Sequence, residues 1–469
     1  MKIHPLLYCT AAIVAIYFIF ITGTGCAQIG SPTGGPRDSI PPELVSAIPK
    51  LLNTNFKGNK IILNFNEYVD VQDVQNNLLV SPLPKINPTI DFKFKVVTVK
   101  LKDSLLDNTT YTINFGNAIR DNNEGNPYKN FSYVFSTGKT IDSLQIRGRV
   151  IIAQTGKADS TIIALLYQQA DDSAVQKRKP NYIAKLDSSG NFTFKYLAAG
   201  EYKIYALKDG DGGKTYSSKI ETFAFADSVV TAADNFSPIK LYAYEEEKEE
   251  KKVPKTTTAV GGKNAALLDK KLKYSSSLTN NEQDLLTDLV LTVNHPLKTL
   301  DAKKIILTDT NFNNIATKIT VDSTQKIVSI QTKWNEGTQY RLLLFKDAFS
   351  DSSGTQLAKQ DTIRFVTRKE TAYGNLIIRF SNLATVVHPI LQFIKEGEIY
   401  KSIPIASPQW SDKLFPPGEY EIRILFDANN NGKWDPGSYS KKIQPEKAIT
   451  LDTKLTIKAN WDNERDIKF

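Results

Sequence analysis

The chain has 469 residues, too many for one ordinary domain and enough for three or four. Lys and Arg number 59 against 50 Asp and Glu, but the resulting charge of +9 is scattered among acidic neighbours. That pattern describes a solvated surface with no dense basic block, so nucleic acid is not an expected partner.

The first 25 residues read as a signal peptide. Lys2 and His4 precede an apolar run from Leu6 to Thr22, and small residues lead up to Cys26. The segment AQIGSPTGGPRDSIPP behind it is rich in Gly, Pro and Ser, and residues 26–40 read as a flexible tether. The stretch GTGC resembles a lipoprotein signal, although Gly23 stands where that pattern has a leucine-like residue. The resemblance implies acylation of Cys26 and a membrane partner reached through that lipid. An uncleaved anchor helix or a plain cleaved signal are the other readings, and they too place the body outside the cytoplasm. Cys9 is the only other cysteine, so an acylated Cys26 leaves no disulfide and no cysteine zinc site.

Residues 41–138 show short alternating runs. Ile61, Leu63 and Phe65 interleave with Ile62, Asn64 and Asn66. Val97, Val99 and Leu101, then Tyr111, Ile113 and Phe115, then Phe131, Tyr133 and Phe135 repeat the pattern. Period-two alternation turns one set to a core and the other to water. Turn signals such as Asn122 to Pro127 divide the runs, and about seven short strands in about a hundred residues read as an Ig-like sandwich. The runs DSIPPELVSAIPK, NKIILNFNEYV, LLDNTTYTINFGNAIRDNNEGN and FSYVFSTG resemble the bacterial Ig-like domain of S-layer proteins. That resemblance implies a structural, non-catalytic sandwich.

Residues 139–244 change pattern. NYIAKLDSSGNFTFKYLAAGEYKIYALKDGDGGKTY gives strand, turn, strand, turn and strand. Its D-x-x-G-x-F-x-F-x-x-L-x-x-G-x-Y order resembles prealbumin-like modules related to the carboxypeptidase regulatory domain, which implies a binding or spacer role. Residues 245–270 open on a Glu/Lys block and continue through Pro254, three threonines and two glycines, a charged linker with no core.

The second half repeats the first. DLVLTVNHPLKTLDAKKIILTDT lies over KIILNFNEYVDVQDVQNNLLVSP, and LFPPGEYEIRILFDANNNGKWDPGSY lies over YLAAGEYKIYALKDGDGGKTYSSK. Residues 271–369 are therefore expected to form a second Ig-like sandwich and residues 370–469 a second prealbumin-like one. The expected fold is all-β, with four β-sandwich modules in tandem, each contacting mainly its sequence neighbours in an extended rod.

The best candidate site is the loop Asp427 to Asp435. Side-chain oxygens of Asp427, Asn429, Asn431 and Asp435 and the carbonyl of Lys433 stand where an EF-hand loop places calcium ligands, with Gly432 at the sharp turn. Ser438 replaces the bidentate Glu, so the site is a weak calcium candidate and a polar hairpin is the competing reading. The repeat partner from Asp209 to Lys214 keeps fewer oxygens. Trp434, in the same loop, is a candidate carbohydrate platform. His295 and His388 each precede a proline, and no nucleophile or base motif accompanies them. No catalytic residue is assigned.

The layout CAQIGSPTGGPRDSIPP followed by Ig-like modules resembles envelope lipoproteins of the Bacteroidetes type. The resemblance implies a non-catalytic outer-membrane lipoprotein that is structural, adhesive or scaffolding, with envelope proteins or polysaccharide as partners. A periplasm-facing anchor is favoured over surface display, because no acidic cluster follows Cys26. The alternative is a carbohydrate-binding protein or an accessory part of a carbohydrate-active enzyme.

Overall fold

The computed structural model describes residues 37–168, 171–234, 237–247, 271–383 and 386–469. The leader, Cys26 and most of the charged linker lie outside the described residues. Contacts divide the chain into two units, residues 1–141 and 142–469.

In the first unit, strands Leu44–Ile48, Lys60–Phe65, Val96–Lys100 and Thr89–Lys93 form one antiparallel sheet in that order. Leu79–Ser81, Thr110–Asn114 and Ser132–Ser136 form a second sheet. A short pair, Val69–Val71 with Ile119–Asp121, stands apart from both. The expected alternation holds: Ile61, Leu63, Phe65, Val97, Val99, Ile113, Phe115, Tyr133 and Phe135 share one buried core. The Asn122 to Pro127 turn is organised by buried Asp121, whose carboxylate accepts the N–H groups of Asn123, Glu124, Gly125 and Asn126 at 2.6–3.0 Å. Burial alone would raise the pKa of this carboxyl, but the four donors outweigh it and hold it below the ordinary carboxylate value.

The second unit holds three sandwiches. In residues 142–247, Leu144–Ile152 lies between Asn191–Leu197 and Ile239–Ala243, the last pairing being parallel. The facing sheet runs Tyr182–Lys185, Ile163–Gln168, Glu201–Leu207 and Phe223–Phe225. Residues 370–469 repeat this arrangement strand for strand: Gly374–Ser381 lies between Gln409–Phe415 and a parallel Asp462–Lys468, opposite Glu398–Pro404, Pro389–Lys395, Gly418–Phe426 and Lys447–Thr450. Between them in sequence, residues 271–369 repeat the first unit, including its separate pair, here Leu297–Leu300 with Phe349–Asp351.

The repeats agree down to single hydrogen bonds. Tyr202 and Tyr420, each following Gly-Glu, donate their hydroxyls to the carbonyls four residues back, Ala198 at 2.9 Å and Pro416 at 3.0 Å. Asp351 caps its turn as Asp121 does, accepting from the N–H groups of Ser353 and Thr355 at 2.9 Å. The described residues thus form an all-β array of four sandwiches, Ig-like and prealbumin-like in alternation.

One expectation fails. Module contacts are not confined to sequence neighbours, because the two prealbumin-like modules pack directly against each other although an Ig-like one separates them in sequence. The cause lies in strands that are apolar on both faces. Ala164 and Leu166 join the core of their own module, yet Leu165 and Tyr167 on the opposite face are buried too. In the last module Leu391 and Phe393 point to its core, while Ile390, Gln392 and Ile394 are buried on the other side. A sheet buried on both faces needs a second covering layer.

Candidate functional site

The long connection between Gly418–Phe426 and Lys447–Thr450 carries the Asp427 motif and brings Tyr439 against the rings of Tyr205 and Phe223 in the first prealbumin-like module. Its first half is closed on itself. The carboxylate of Asp427 accepts from the N–H groups of Asn431 at 3.1 Å and Gly432 at 2.7 Å. The side-chain oxygen of Asn431 accepts from the N–H of Lys433 at 2.8 Å. The amide groups of Asn429 and Asn431 both donate to Asp435 Oδ2, at 2.5 and 2.6 Å. The structure therefore does bring Asp427, Asn429, Asn431 and Asp435 together.

Glu446, absent from the sequence-derived set, completes the loop. Its carboxylate accepts from the N–H of Ala428 at 2.7 Å and of Asp435 at 3.0 Å, and its carbonyl accepts from the indole N–H of Trp434 at 2.7 Å. Trp434 is half-buried and tied down, not a free platform. Among the described residues, no three His, Cys, Asp or Glu side chains form a metal-holding group. A cation in this loop would depend on the Asn oxygens.

The second half of the connection docks on the first prealbumin-like module. Tyr439, 5% exposed, enters a box of four rings: Phe223 at 5.1 Å, Phe225 at 5.3 Å, Tyr205 at 5.9 Å and Tyr216 at 6.1 Å between centroids. All four contacts are edge-on, the arrangement aromatic quadrupoles favour. Its hydroxyl donates to the carbonyl of Asp172 and lies 3.2 Å from Tyr205 Oη, and its N–H donates to Glu246 Oε1 at 2.8 Å. Burial, with the Tyr205 and Asp172 oxygens nearby, pushes the Tyr439 phenol well above its ordinary pKa, so it stays a neutral donor.

Further ties surround this plug. Gln444 donates to the Phe225 carbonyl at 3.1 Å and to Asp227 at 2.7 Å. The N–H of Ala448 donates to the Ala153 carbonyl at 2.8 Å, and Lys157 pairs with Glu421 at 2.6 Å. Two glycines permit the approach. A Cβ on Gly156, which has φ +68°, would stand 2.6 Å from the Ala448 carbonyl, and one on Gly437 would stand 2.7 Å from the Tyr244 ring. Beside the plug lies a cleft of about 390 Å³ lined by Asp172, Lys203, Tyr205, Asp227, Tyr439 and Lys442. Its two lysines are already paired with Asp172, at 2.5 and 3.4 Å.

The remaining singled-out residues lie apart from this contact. Trp334 is buried in the core of residues 271–369, Trp410 packs on Phe393 at 5.7 Å, and Trp461 is 62% exposed. His388 is exposed, and half-buried His295 lies within electrostatic reach of Asp351. The Asp209 to Lys214 loop is a tight turn in which Asp209 accepts from the N–H of Lys214 at 3.0 Å. Tyr439, Glu246 and Glu446 were not singled out from sequence. The available signal was the doubly apolar runs IIALLY and PILQFI, which announce a covering layer without naming it.

Residues 38–137 match the bacterial Ig-like domain family. That segment is thus a bacterial Ig-like module, as its two sheets and separate strand pair indicate. None of the curated proteins matches the chain. Among solved structures, it is similar to the N-terminal part of the bacterial S-layer protein SbsC, at 14% identity over 36% of this chain and 40% of that one, with a TM-score of 0.17. It is also similar to native alpha-2-macroglobulin from Escherichia coli, domains MG0-NIE-MG1, at 13% identity over 39% and 72%, with a TM-score of 0.20. A third is BcpA, the major pilin subunit of Bacillus cereus, at 11% identity over 69% and 99%, with a TM-score of 0.16. Scores of this size do not define a function.

Proposed function

We propose that this chain is a non-catalytic lipoprotein of a bacterial outer membrane, anchored through Cys26, that acts as a structural, adhesive or scaffolding element of the envelope. The supporting observation is the use made of the one motif-bearing loop. Its polar groups close the loop, and its aromatic plug ties together two modules that a third separates in sequence. The neighbouring joint is also tied: the N–H of Leu285, in residues 271–369, donates to the hydroxyl of Tyr373, in the last module, at 2.8 Å. A body braced in this way holds distances and presents loops, which is what a spacer or scaffold does.

Two measurements test the reading. Mass analysis of the mature N-terminal peptide is expected to find an acylated Cys26; an unmodified cysteine in a soluble fraction refutes the anchor. Protease added to intact cells is expected to spare the body if it faces the periplasm, and rapid shaving refutes that orientation. The exposed Trp461, with Lys458 5.0 Å from its ring, supports a second reading as a carbohydrate-binding surface. Glycan binding that is lost in Trp461→Ala and retained in Trp434→Ala would favour it.

A further inference from the structure

The hairpin joining Thr89–Lys93 to Val96–Lys100 has a two-residue turn, Phe94-Lys95, with Lys93 opposite Val96. Such turns favour Asn or Gly because they require positive φ. Here Phe94 takes φ +57°, a conformation a bulky side chain adopts only when its surroundings impose it. The surroundings are present: the N–H of Val69 donates to the Phe94 carbonyl at 2.9 Å, and that of Phe65 to the Lys95 carbonyl at 2.8 Å. The result is an aromatic ring held out in solvent. Phe94 is 65% exposed and Tyr68 57%, with their ring centroids 5.8 Å apart. Lys93 and Lys95 flank them, 5.4 Å from the Phe94 ring and 5.9 Å from the Tyr68 ring.

This tip sits at the end of the module where the described chain begins. Lys95 Nζ donates to the Asn66 carbonyl at 2.7 Å, and Asn66 exchanges hydrogen bonds with Glu43. Only residues 27–36 separate Arg37 from Cys26. As a flexible coil, a stretch of that length with three Gly and two Pro would have a root-mean-square span of roughly 20 Å. A lipid on Cys26 therefore keeps this end of the module next to the bilayer surface.

We infer that the Phe94–Tyr68 tip enters the headgroup interface of the membrane holding the anchor, with Lys93 and Lys95 meeting anionic phospholipid. This rests on the proposed acylation of Cys26. Aromatic rings at headgroup depth and lysines directed to anionic lipid are the side chains such an interface accepts. The acidic groups at this end are Glu67 and, acting on it as like charges, Asp121, Asp38 and Glu124; burial first, and then these charges, raise its pKa, while Lys95 acts on Glu67 in the opposite sense.

The test uses the full chain matured from its own leader and incorporated into vesicles of phosphatidylethanolamine and phosphatidylglycerol, with and without brominated acyl chains. Phe94→Trp places a reporter at the tip. Ile86→Trp places a control reporter before the other end of the strand Thr89–Lys93, at a position that is likewise exposed. Emission of the tip reporter, read as a difference from the unsubstituted chain, is expected to shift to the blue and be quenched by bromolipid, while that of the control reporter does neither. If the protein floats with the vesicles and carries an acylated Cys26, but the tip reporter is quenched no more than the control, the tip contact is refuted and the anchor stands. If Cys26 is unmodified and the protein does not float, both fall. A tip-reporter shift that follows protein concentration without vesicles would assign the tip to a second copy of this chain and overturn the membrane contact.

Discussion

Replacing Tyr439 with alanine is the sharpest probe of the contact between the prealbumin-like modules. The side chain is almost wholly buried among four rings, donates its hydroxyl to the Asp172 carbonyl and contacts the Tyr205 hydroxyl. Truncating a buried aromatic costs about 3–5 kcal/mol, the cavity left behind included. Tyr439→Phe keeps the ring and loses only the hydroxyl bonds, for about 1 kcal/mol. The assay is urea unfolding of the full chain followed by tryptophan emission, paired with hydrogen exchange. Three of the four tryptophans, Trp410, Trp434 and Trp461, lie in the last module, so its separation is visible. In Tyr439→Ala, the transition reported by that module is expected to move to lower urea by the stated free energy, and the Ala448 N–H to lose protection. In Tyr439→Phe both effects should be small. A double-mutant cycle with Phe223→Ala is expected to return a coupling of about 0.5–1.5 kcal/mol. A loss below about 1 kcal/mol in Tyr439→Ala, with Ala448 protection intact, would show that the plug does not join the modules.

Gly156→Ala is expected to loosen the same contact from its far side by about 2 kcal/mol, since alanine resists φ +68° and its methyl meets the Ala448 carbonyl; exchange at Ala448 checks this. Asp121→Ala should destabilise the first unit by about 2–3 kcal/mol by leaving four turn N–H groups without their acceptor, read by its thermal midpoint. Because the folded-state pKa of Asp121 is lowered, the stability it contributes is present above the unfolded-state value and is lost as pH falls through the folded one. Acid titration of the wild type should therefore show a loss that Asp121→Ala lacks. Calcium at the Asp427 loop remains a proposal: millimolar calcium is expected to change Trp434 emission in the wild type and not in Asp427→Ala. Identical titrations of the two would leave the loop as a self-closed turn.

The four sandwiches were legible because alternation is a local property: Ile61, Leu63 and Phe65 each report their own face. The repeat was legible for the same reason, since corresponding turns keep the same residues, as at Tyr202 and Tyr420. The inter-module contact was not, because nothing local to Tyr439 names the four rings around it, two of which are more than 220 residues away. The motif at Asp427 drew the reading towards calcium, while Glu446, which completes the loop, lies outside any motif spacing. Proximity in space, not spacing in sequence, assembled that site.

The parallel closure of the prealbumin-like modules has a mechanical consequence. Asn375 to Ser381 lie opposite Asp462 to Lys468 in one unbroken register, and Gly148 to Ile152 lie opposite Ile239 to Ala243. Because the first and last strands run the same way, the chain enters each module at one end and leaves at the other. Tension drawn along the chain then loads a whole ladder in shear, every bond at once, and does not peel it open one rung at a time.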